Sequence, residues 1–361
     1  MSDRIYVGSR KGLFTLARSS GGWDVAAVDF LAEPVSAILP AADGTLTVAL
    51  DLGHFGNKFW RRRPGGAWEE RPVPAFPAKP ADVKDDPHPW SVGKVWTFAD
   101  GGVKGRLWAG AIPAGLFRSD DDGDTWALIR PLWDLPERKH WQGGGTDQPG
   151  LHSIMVDPRD PDHVVIAVSS GGAWTTRDGG RSWTVTSKGM YAEYMPPERR
   201  EDPVAQDPHL LAQCTAVPDV MWCQHHNGTF RSTDGGTSWT EITAIAPSKF
   251  GFAVAAHPSD PLTAWFVPAV KDEKRVPVDG KVVVARTRDG GKSFEVLRAG
   301  LPQRHAYDLV WRHALDVDAS GRGLAFGSTS GGLWTSDDGG DSWVGLDARL
   351  PPISVIRYAR A

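Results

Sequence analysis

Cysteine and long apolar runs are both scarce in this sequence. Only two cysteines, Cys214 and Cys223, occur among 361 residues. That number is too small for a disulfide-dense secreted scaffold. No apolar stretch approaches the roughly 20 residues that a membrane-spanning helix needs. The chain also enters a strand-like run at Arg4 without the layout of a signal peptide. Together these absences predict a soluble cytoplasmic protein whose two cysteines are buried thiols.

An excess of charge of one sign is also missing. The chain has 40 Lys and Arg against 44 Asp and Glu, which leaves a net charge of -4. This balance gives no electrostatic reason to expect nucleic acid or an anionic membrane surface as a partner. The 41 glycines, 28 prolines and 17 tryptophans instead suit a fold of strands and turns with little helix.

A repeated turn motif is the dominant feature that is present. Its pattern is Ser or Thr, any residue, Asp, any residue, Gly, any residue, Ser or Thr, and an aromatic. The Asp side chain can bond the backbone of its own turn, and the Gly supplies positive φ. The motif therefore predicts a tight turn before an outgoing strand, not a catalytic group. Five copies occur, at 119–126, 176–183, 232–239, 287–294 and 336–343.

Two weaker copies at 18–23 and 63–68 keep the glycines and the aromatic residue but lack the Asp. The seven aromatic residues then recur every 45 to 58 residues. A repeat of that length holds four short strands with their loops, which is one propeller blade. The spacing predicts an all-β, seven-bladed β-propeller of four-stranded blades, with the whole chain, 1–361, as one domain.

The ends of the chain predict how the ring closes. The first blade begins at residues 4–8 and has no inner strand of its own, whereas Ile353–Tyr358 is a spare strand after the last turn motif. We expect this C-terminal strand to pair into the N-terminal blade as its innermost strand. Such pairing removes the open sheet edges.

The turn motif resembles the Asp-box, or bacterial neuraminidase repeat, of sialidases, sortilin-type receptors and photosystem-assembly propellers. The longer runs around it, with Gly-Gly-x-Trp before Asp-Gly-Gly-x-Ser-Trp, resemble bacterial propellers labelled exo-alpha-sialidase or glycosyl hydrolase. The resemblance covers nearly the whole chain and implies a sialidase-like, glycosyl hydrolase-like fold. An Arg-Ile-Pro motif is missing, and only five tyrosines are present. Sialidase activity itself is therefore not predicted.

Three long connections between blades are predicted on one face of the ring, at 71–91, 130–151 and 187–208. Loops of this length are uncommon and often functional. The same face collects eight of the 11 histidines, near the axis where inner strands begin. We expect a His-rich pocket there, binding a small-molecule or glycan ligand.

Neutral imidazole is a good ligand for several divalent metals. The predicted metal ligands are His88, His152, His209 and His225, with Asp207, Asp308 or Gln224 as further ligands or supporting groups. The metal would be Zn, Fe, Mn or Ca. A metal-free polar pocket and purely structural histidines remain open alternatives, because no short ligand motif such as His-Glu-x-x-His occurs.

The predicted catalytic residues are His152, His209, Tyr307 and Asp308. The sequence predicts that blade 7 begins near Tyr307, which would bring the last two residues to the axis. In the glycine-rich stretch 142–150, backbone amides could approach a ligand, or the stretch could serve as a hinge. Trp133 and Trp141 flank it and could stack on a sugar, or pack as a small cluster under the loop. The full set of predicted ligand-binding residues is His54, His88, Trp133, Trp141, Gln142, Asp147, Gln224, His226 and His305.

Two functions follow as hypotheses. The first is a hydrolase- or lyase-type enzyme, with or without a divalent metal, acting on a carbohydrate or another small polar substrate. The second is a non-catalytic scaffold that binds another protein. A scaffold has no need of buried histidines near the axis. No nucleic-acid or membrane partner is predicted, and a closed ring is compatible with a monomer.

Overall fold

A computed structural model describes residues 1–144 and 146–360. Within that part, 28 strands form seven four-stranded antiparallel sheets arranged as the blades of a propeller. The predicted fold class is confirmed. Every blade except the first follows chain order from its innermost to its outermost strand.

The strand bounds are as follows. Blade 1 contains β1 (Arg4–Ser9), β2 (Gly12–Ser19) and β3 (Gly22–Asp29); blade 2, β4 (Val35–Pro40), β5 (Leu46–Asp51), β6 (Asn57–Arg62) and β7 (Trp68–Arg71); blade 3, β8 (Lys94–Asp100), β9 (Leu107–Ile112), β10 (Leu116–Ser119) and β11 (Ala127–Leu128); blade 4, β12 (Leu151–Asp157), β13 (Asp160–Val168), β14 (Gly172–Thr176) and β15 (Thr184–Val185). Blade 5 contains β16 (Pro208–Gln213), β17 (Met221–His225), β18 (Gly228–Ser232) and β19 (Thr240–Ile242); blade 6, β20 (Gly251–Ala256), β21 (Ala264–Pro268), β22 (Val284–Thr287) and β23 (Glu295–Leu297); blade 7, β24 (Leu315–Val317), β25 (Leu324–Gly327), β26 (Leu333–Ser336) and β27 (Val344–Gly345). The last strand, β28 (Ile353–Tyr358), returns to blade 1.

Helix is confined to short segments in the loops. An α-helix spans Arg130–Trp133, and 3-10 helices span Gly53–Phe55, Pro136–His140, Pro197–Arg199 and Val278–Gly280. In the part of the chain that the structure describes, no helix combines the length and the apolar character that crossing a membrane requires.

The C-terminal strand closes the ring as predicted. It pairs antiparallel with β1, with Ile5 opposite Tyr358 and Val7 opposite Ile356. This pairing completes blade 1 as the sheet β28-β1-β2-β3. The side chains of Ile353, Val355 and Ile356 are at most 1% exposed, so the strand is part of the core.

The repeated turn has the geometry that its sequence predicts. In the third copy, Ser232 Oγ accepts a hydrogen bond from Gly236 N at 3.0 Å. Asp234 Oδ1 accepts another from Ser238 N at 3.0 Å. Gly235 and Gly236 have φ values of 71° and 81°, which favour glycine. Trp239 then packs inside, only 4% exposed.

Replacing Ser232 with alanine is expected to lower the free energy of unfolding by about 1–3 kcal/mol. The buried Gly236 N–H loses its acceptor, and an unsatisfied buried donor costs that much. Urea unfolding followed by circular dichroism would measure the change. Thr233→Ala is the matched control, because Thr233 lies in the same turn but is exposed. Equal stability of the two variants would show that the turn does not depend on this bond.

The innermost strand of blade 7 lies later in the chain than predicted. The sequence favoured a start near Tyr307, whereas β24 begins at Leu315. The preceding segment is held by blade 6 instead. Ala306 N donates to Gly280 O at 3.0 Å, and Gln303 Nε2 donates to Val282 O at 2.8 Å. Because of this shift, Arg312 and His313, not Tyr307, reach the axis of the ring.

Candidate functional site

Three side chains that offer metal-ligating atoms meet where the inner strand of blade 5 begins. They are Asp207, His209 and His226, and one ligand atom from each lies within 4.8 Å of the others. Asp207 Oδ2 is 3.7 Å from His209 Nε2 and 3.3 Å from His226 Nδ1. The side chains of Asp207 and His209 are buried, whereas that of His226 is 22% exposed. We call this group the 207–226 cluster.

Strand pairing explains why these residues meet. Asp207 directly precedes β16, and His226 directly follows β17. The two strands are antiparallel neighbours with Pro208 opposite His225. This register places the residue before one strand beside the residue after the other. His226 N donates to Asp207 O at 3.0 Å and fixes the pairing at this end.

Neighbouring backbone groups hold the cluster in position. His209 Nδ1 donates to Gly251 O at 2.6 Å, so its Nε2 keeps a free lone pair directed toward Asp207. Asp207 Oδ1 accepts a bond from Ser170 N at 3.1 Å, which leaves Oδ2 for the histidines. The His209 ring stacks on Phe252 with centroids 4.5 Å apart. A fixed second nitrogen of this kind is typical of metal-binding histidines.

The electrostatics follow from burial and from the charges within the cluster. Burial favours the neutral acid of Asp207, but its interactions with His209 and His226 outweigh burial and hold its pKa well below the ordinary value. Burial lowers the pKa of His209 despite the carboxylate beside it. For His226 burial also acts downward, but Asp207 prevails and raises its pKa. Without a cation, these opposite shifts of the two pKa values favour an ion pair between His226 and Asp207.

The spacing around Asp207 is compatible with a small divalent cation. Asp207 Oδ2 lies 3.3 Å from His226 Nδ1 and 3.7 Å from His209 Nε2, separations that ligand atoms sharing one cation can have. Two histidines and one carboxylate form a donor set typical of catalytic zinc and of non-haem iron(II).

Three of the four predicted metal ligands lie outside this cluster. Both ring nitrogens of His225 face backbone amides, Asp207 N at 3.0 Å and Asn227 N at 3.1 Å. Those of His88 face Gln148 Oε1 at 2.9 Å and Arg138 O at 3.1 Å. His152 is buried with its Nδ1 2.9 Å from Ser153 Oγ.

The remaining predicted polar residues are also dispersed. Gln224 Nε2 donates to three backbone carbonyls, including Lys249 O at 3.0 Å, and Asp308 Oδ1 accepts from Ser328 Oγ at 2.6 Å. These hydrogen bonds of Gln224 and Asp308 hold the neighbouring loops in place. Exposed positions are occupied by His54, Gln142, Asp147, His305 and Tyr307.

The tryptophans flanking the glycine-rich stretch are buried. Trp133 is 1% exposed and packs against Phe76 and Trp90, and Trp141 is 2% exposed and packs against Trp174. Neither ring has a face open to a ligand. The two tryptophans therefore match the alternative interpretation, in which they pack as small clusters under the loop. Within the stretch itself, a Cβ built on Gly144 would lie 3.0 Å from Asp207 Oδ1, so its backbone passes close to the cluster. Gly145 lies outside the described residues.

The sequence reasoning missed Tyr194, Arg312 and His313. The Tyr194 ring meets the ring of His226 edge-on, with centroids 5.2 Å apart. Arg312 and His313 stand just before β24 and line a cavity of about 430 Å³ along the axis. Their position relative to β24 resembles that of His209 at β16 and could have been found by aligning the blades. The incorrect start of blade 7 concealed it.

Comparison with known proteins gives distant relatives. No family model matches the chain. It is 25% identical over 280 residues to the oligoxyloglucan-reducing end-specific xyloglucanase of Emericella nidulans, a match covering 70% of this chain and 32% of that protein. A xyloglucanase from Paenibacillus sp. is 24% identical over 344 residues, covering 84% and 31%. The chain thus spans about a third of the length of these curated relatives.

Solved structures share the fold. An ancestral GH74 enzyme has a TM-score of 0.59 at 14% identity, covering 95% of this chain and 40% of its own. YCF48 bound to D1 peptide has a TM-score of 0.52 at 13% identity, covering 88% of this chain and 82% of its own. At such identities the likeness concerns the fold alone, which one enzyme and one peptide-binding protein share.

Proposed function

We propose that this chain is a divalent-metal-dependent hydrolase whose reaction centre is the 207–226 cluster. The observation that carries the proposal is the convergence of one carboxylate oxygen and two imidazole nitrogens within 4.8 Å. The Gly251 carbonyl, which orients His209, adds to it. Burying the charged carboxylate of Asp207 costs stability, because a charged group is taken out of water. A function for the cluster would explain why this cost is tolerated.

The proposed substrate is a carbohydrate or another small polar molecule. Support comes from the two xyloglucanases among the relatives. The usual glycosidase mechanism needs two carboxyl groups across a cleft. Two other aspartates that the sequence predicted for the site lie elsewhere: Asp308 accepts a bond from Ser328 Oγ in blade 7, and Asp147 is exposed in its loop. Metal activation of water is therefore favoured over a carboxylate pair.

Each side chain has a definite part in this proposal. Asp207 Oδ2, His209 Nε2 and His226 Nδ1 would hold the cation, and the cation would lower the pKa of a bound water. The partial exposure of His226 marks the side from which substrate would enter. Tyr194, which packs against His226, would border that entry.

The first test is the metal content of the purified chain, freed of any affinity tag, after incubation with Zn²⁺ or, without oxygen, Fe²⁺. We expect about one metal ion per chain, falling to near zero in His209→Ala and Asp207→Asn. His54→Ala is the matched control, because His54 is an exposed histidine in a loop of blade 2. Absence of metal from the unaltered chain, or equal metal in all variants, would refute the metal site.

The same site makes metal binding depend on pH in a definite direction. A proton on His226 competes with the cation, and its raised pKa means that the proton persists to higher pH than on an ordinary histidine. Affinity should therefore weaken as pH falls through that pKa. Competition titrations with a chelating dye between pH 5 and 8 would measure this, and a pH-independent affinity would contradict the assignment of His226.

Hydrolysis is tested on aryl glycosides and xyloglucan oligosaccharides, with and without chelator. We expect turnover that is lost with chelator and restored by metal, and reduced about 100-fold or more in His209→Ala, because the water would lose its activation. Metal binding without hydrolysis of any substrate would leave the site intact and refute the hydrolase.

A protein-binding role is the second candidate. It is favoured by the likeness to peptide-bound YCF48, which extends over most of both chains, whereas the matches to the xyloglucanases cover only about a third of those proteins. A scaffold would keep its partner in His209→Ala, so capture experiments with this variant separate the two functions.

A further inference from the structure

The axial cavity is separate from the 207–226 cluster. Its walls come from the inner strands of the blades, and residues beyond the ends of those strands, such as Pro158 and Pro258, mark its opening. The cavity therefore opens on the face opposite the long loops. The walls are largely apolar, with Leu39, Ile154 and Leu315 among them. A volume of about 430 Å³ is within the range of small-molecule sites.

Arginine is concentrated in this cavity. Arg312, Arg357 and Arg360 line it, against Asp100 and Asp316. Among residues 1–144 and 146–360, no carboxylate oxygen lies within 4.0 Å of a guanidinium nitrogen of any of the three arginines. Asp316 Oδ2 is occupied by Tyr358 N at 2.8 Å. Burial raises the pKa of Asp316, and the charge of Arg357 opposes this shift.

Arg312 is the most constrained of the three. It is 5% exposed, and its guanidinium carbon lies 5.0 Å from the ring centroid of Trp96 and 5.2 Å from that of Phe252. Its Nε and Nη2 are buried without a hydrogen-bond partner in the described chain. The aromatic rings stabilise the cation from its faces but do not satisfy its N–H groups. A buried guanidinium without a counter-ion is costly.

His152 is a second buried side chain with an unpaired donor, and it contacts the same Trp96 ring as Arg312. Ser153 Oγ accepts a bond from Leu211 N at 3.0 Å, so its own hydroxyl proton is free for His152 Nδ1 at 2.9 Å. In that arrangement His152 carries its proton on Nε2, and this nitrogen is buried without a partner. Two side chains at the inner end of the cavity, Arg312 and His152, thus have buried N–H groups without an acceptor.

We propose that the axial cavity binds a small organic anion, with a carboxylate or phosphate group toward Arg312 and Arg357 and an apolar body against the cavity walls. Arg312 and His152 close the inner end, and Arg357 and Arg360 supply charge along the path to the opening. Charge-assisted bonds from arginine to such oxyanions are among the strongest hydrogen bonds in proteins. The cavity lining includes none of the three residues of the 207–226 cluster, although Phe252 lies between Arg312 and the ring of His209. The proposal does not depend on the proposed hydrolase.

Calorimetric titration of the full chain tests this with phenyl phosphate and benzoate, and with benzyl alcohol as their neutral counterpart. We expect one anion per chain and at least about tenfold weaker binding of the alcohol. Arg357→Gln should weaken anion binding by about tenfold or more, and Arg360→Gln by less, because Arg360 is exposed. Arg349→Gln is the control, as an exposed arginine outside the cavity.

Two controls distinguish a loss of anion binding from a folding defect and from a loss of the metal site. Arg312→Gln alters a buried group, so a loss of binding in that variant would not separate the site from the fold. The test therefore rests on Arg357→Gln and Arg360→Gln, whose folding is checked by circular dichroism. Anion binding should persist in His209→Ala. The proposal is overturned if no anion binds up to about 10 mM, if the alcohol binds equally well, or if neither arginine variant changes the affinity.

Discussion

Deleting residues 353–361 is expected to leave a chain that does not fold. The deletion removes β28, so blade 1 loses its innermost strand and the ring has an open edge at the axis. Ile353, Val355 and Ile356 are almost completely buried. Burying such side chains stabilises a fold by about 1.5–3 kcal/mol each, so the three together contribute roughly 5–9 kcal/mol. That is comparable to the whole net stability of many proteins, about 5–15 kcal/mol.

Solubility on expression and the cooperativity of urea unfolding would measure this effect. A single substitution in β28 tests a smaller part of the same contribution to stability. Ile356→Ala should lower the free energy of unfolding by about 2–5 kcal/mol, because it leaves a cavity at a fully buried position. Pro352→Ala, at an exposed position just before the strand, should change little. A deletion variant that still unfolded cooperatively at the original urea concentration would show that closure of the ring is dispensable.

Replacing Asp86 with alanine should lower the free energy of unfolding by about 3–5 kcal/mol. Both of its oxygens accept from Arg138, Oδ1 from Nη1 at 2.9 Å and Oδ2 from Nη2 at 2.7 Å. The Asp86 side chain has no exposed surface, and that of Arg138 is 4% exposed. Removing one partner of a buried pair leaves the other charge uncompensated, which costs about this much. The pair joins two of the long loops, 71–91 and 130–151.

The loss would extend beyond the two charges. Asp86 also accepts from Trp90 Nε1 at 2.8 Å, and the Arg138 guanidinium lies 4.0 Å from the centroid of Trp133. Alanine at position 86 therefore disturbs the aromatic cluster under the loops. For 361 residues, a loss of 3–5 kcal/mol corresponds to roughly 4–7 °C in Tm. Calorimetry would measure this shift, with Asp85→Ala as the control at an exposed neighbour.

The same pair predicts a pH dependence. Burial raises the pKa of Asp86, but hydrogen bonds from Arg138 and its neighbours outweigh burial and lower the pKa to about 2. A carboxyl with a depressed pKa stabilises the fold fully above its unfolded value of about 4 and ceases to do so as pH falls through its folded value. The difference in Tm between Asp86→Ala and the unaltered chain should therefore shrink from pH 5 toward pH 2. A constant difference would mean that the loss is one of packing.

The location of the candidate site was only partly predictable. His209 and Asp207 were singled out because they lie where an inner strand begins, and the sequence pattern shows that position directly. His225 and His226 are adjacent, however, and no pattern indicates which of them faces Asp207. The register of β16 against β17 decides it, since Pro208 opposite His225 turns His225 toward backbone amides and His226 toward the carboxylate.

Local chemistry was sufficient to predict the architecture of this protein. Turn residues, aromatic spacing and a spare C-terminal strand determine seven blades and their closure, because each of these signals acts within one repeat or between the two ends. The 207–226 cluster depends on the register of β16 against β17 within blade 5. The buried Asp86–Arg138 pair and the arginines of the axial cavity depend on contacts between different blades and loops. Such contacts arise only when the ring closes, since their distances depend on strand register and loop packing. Only the tertiary structure decided which polar residues meet.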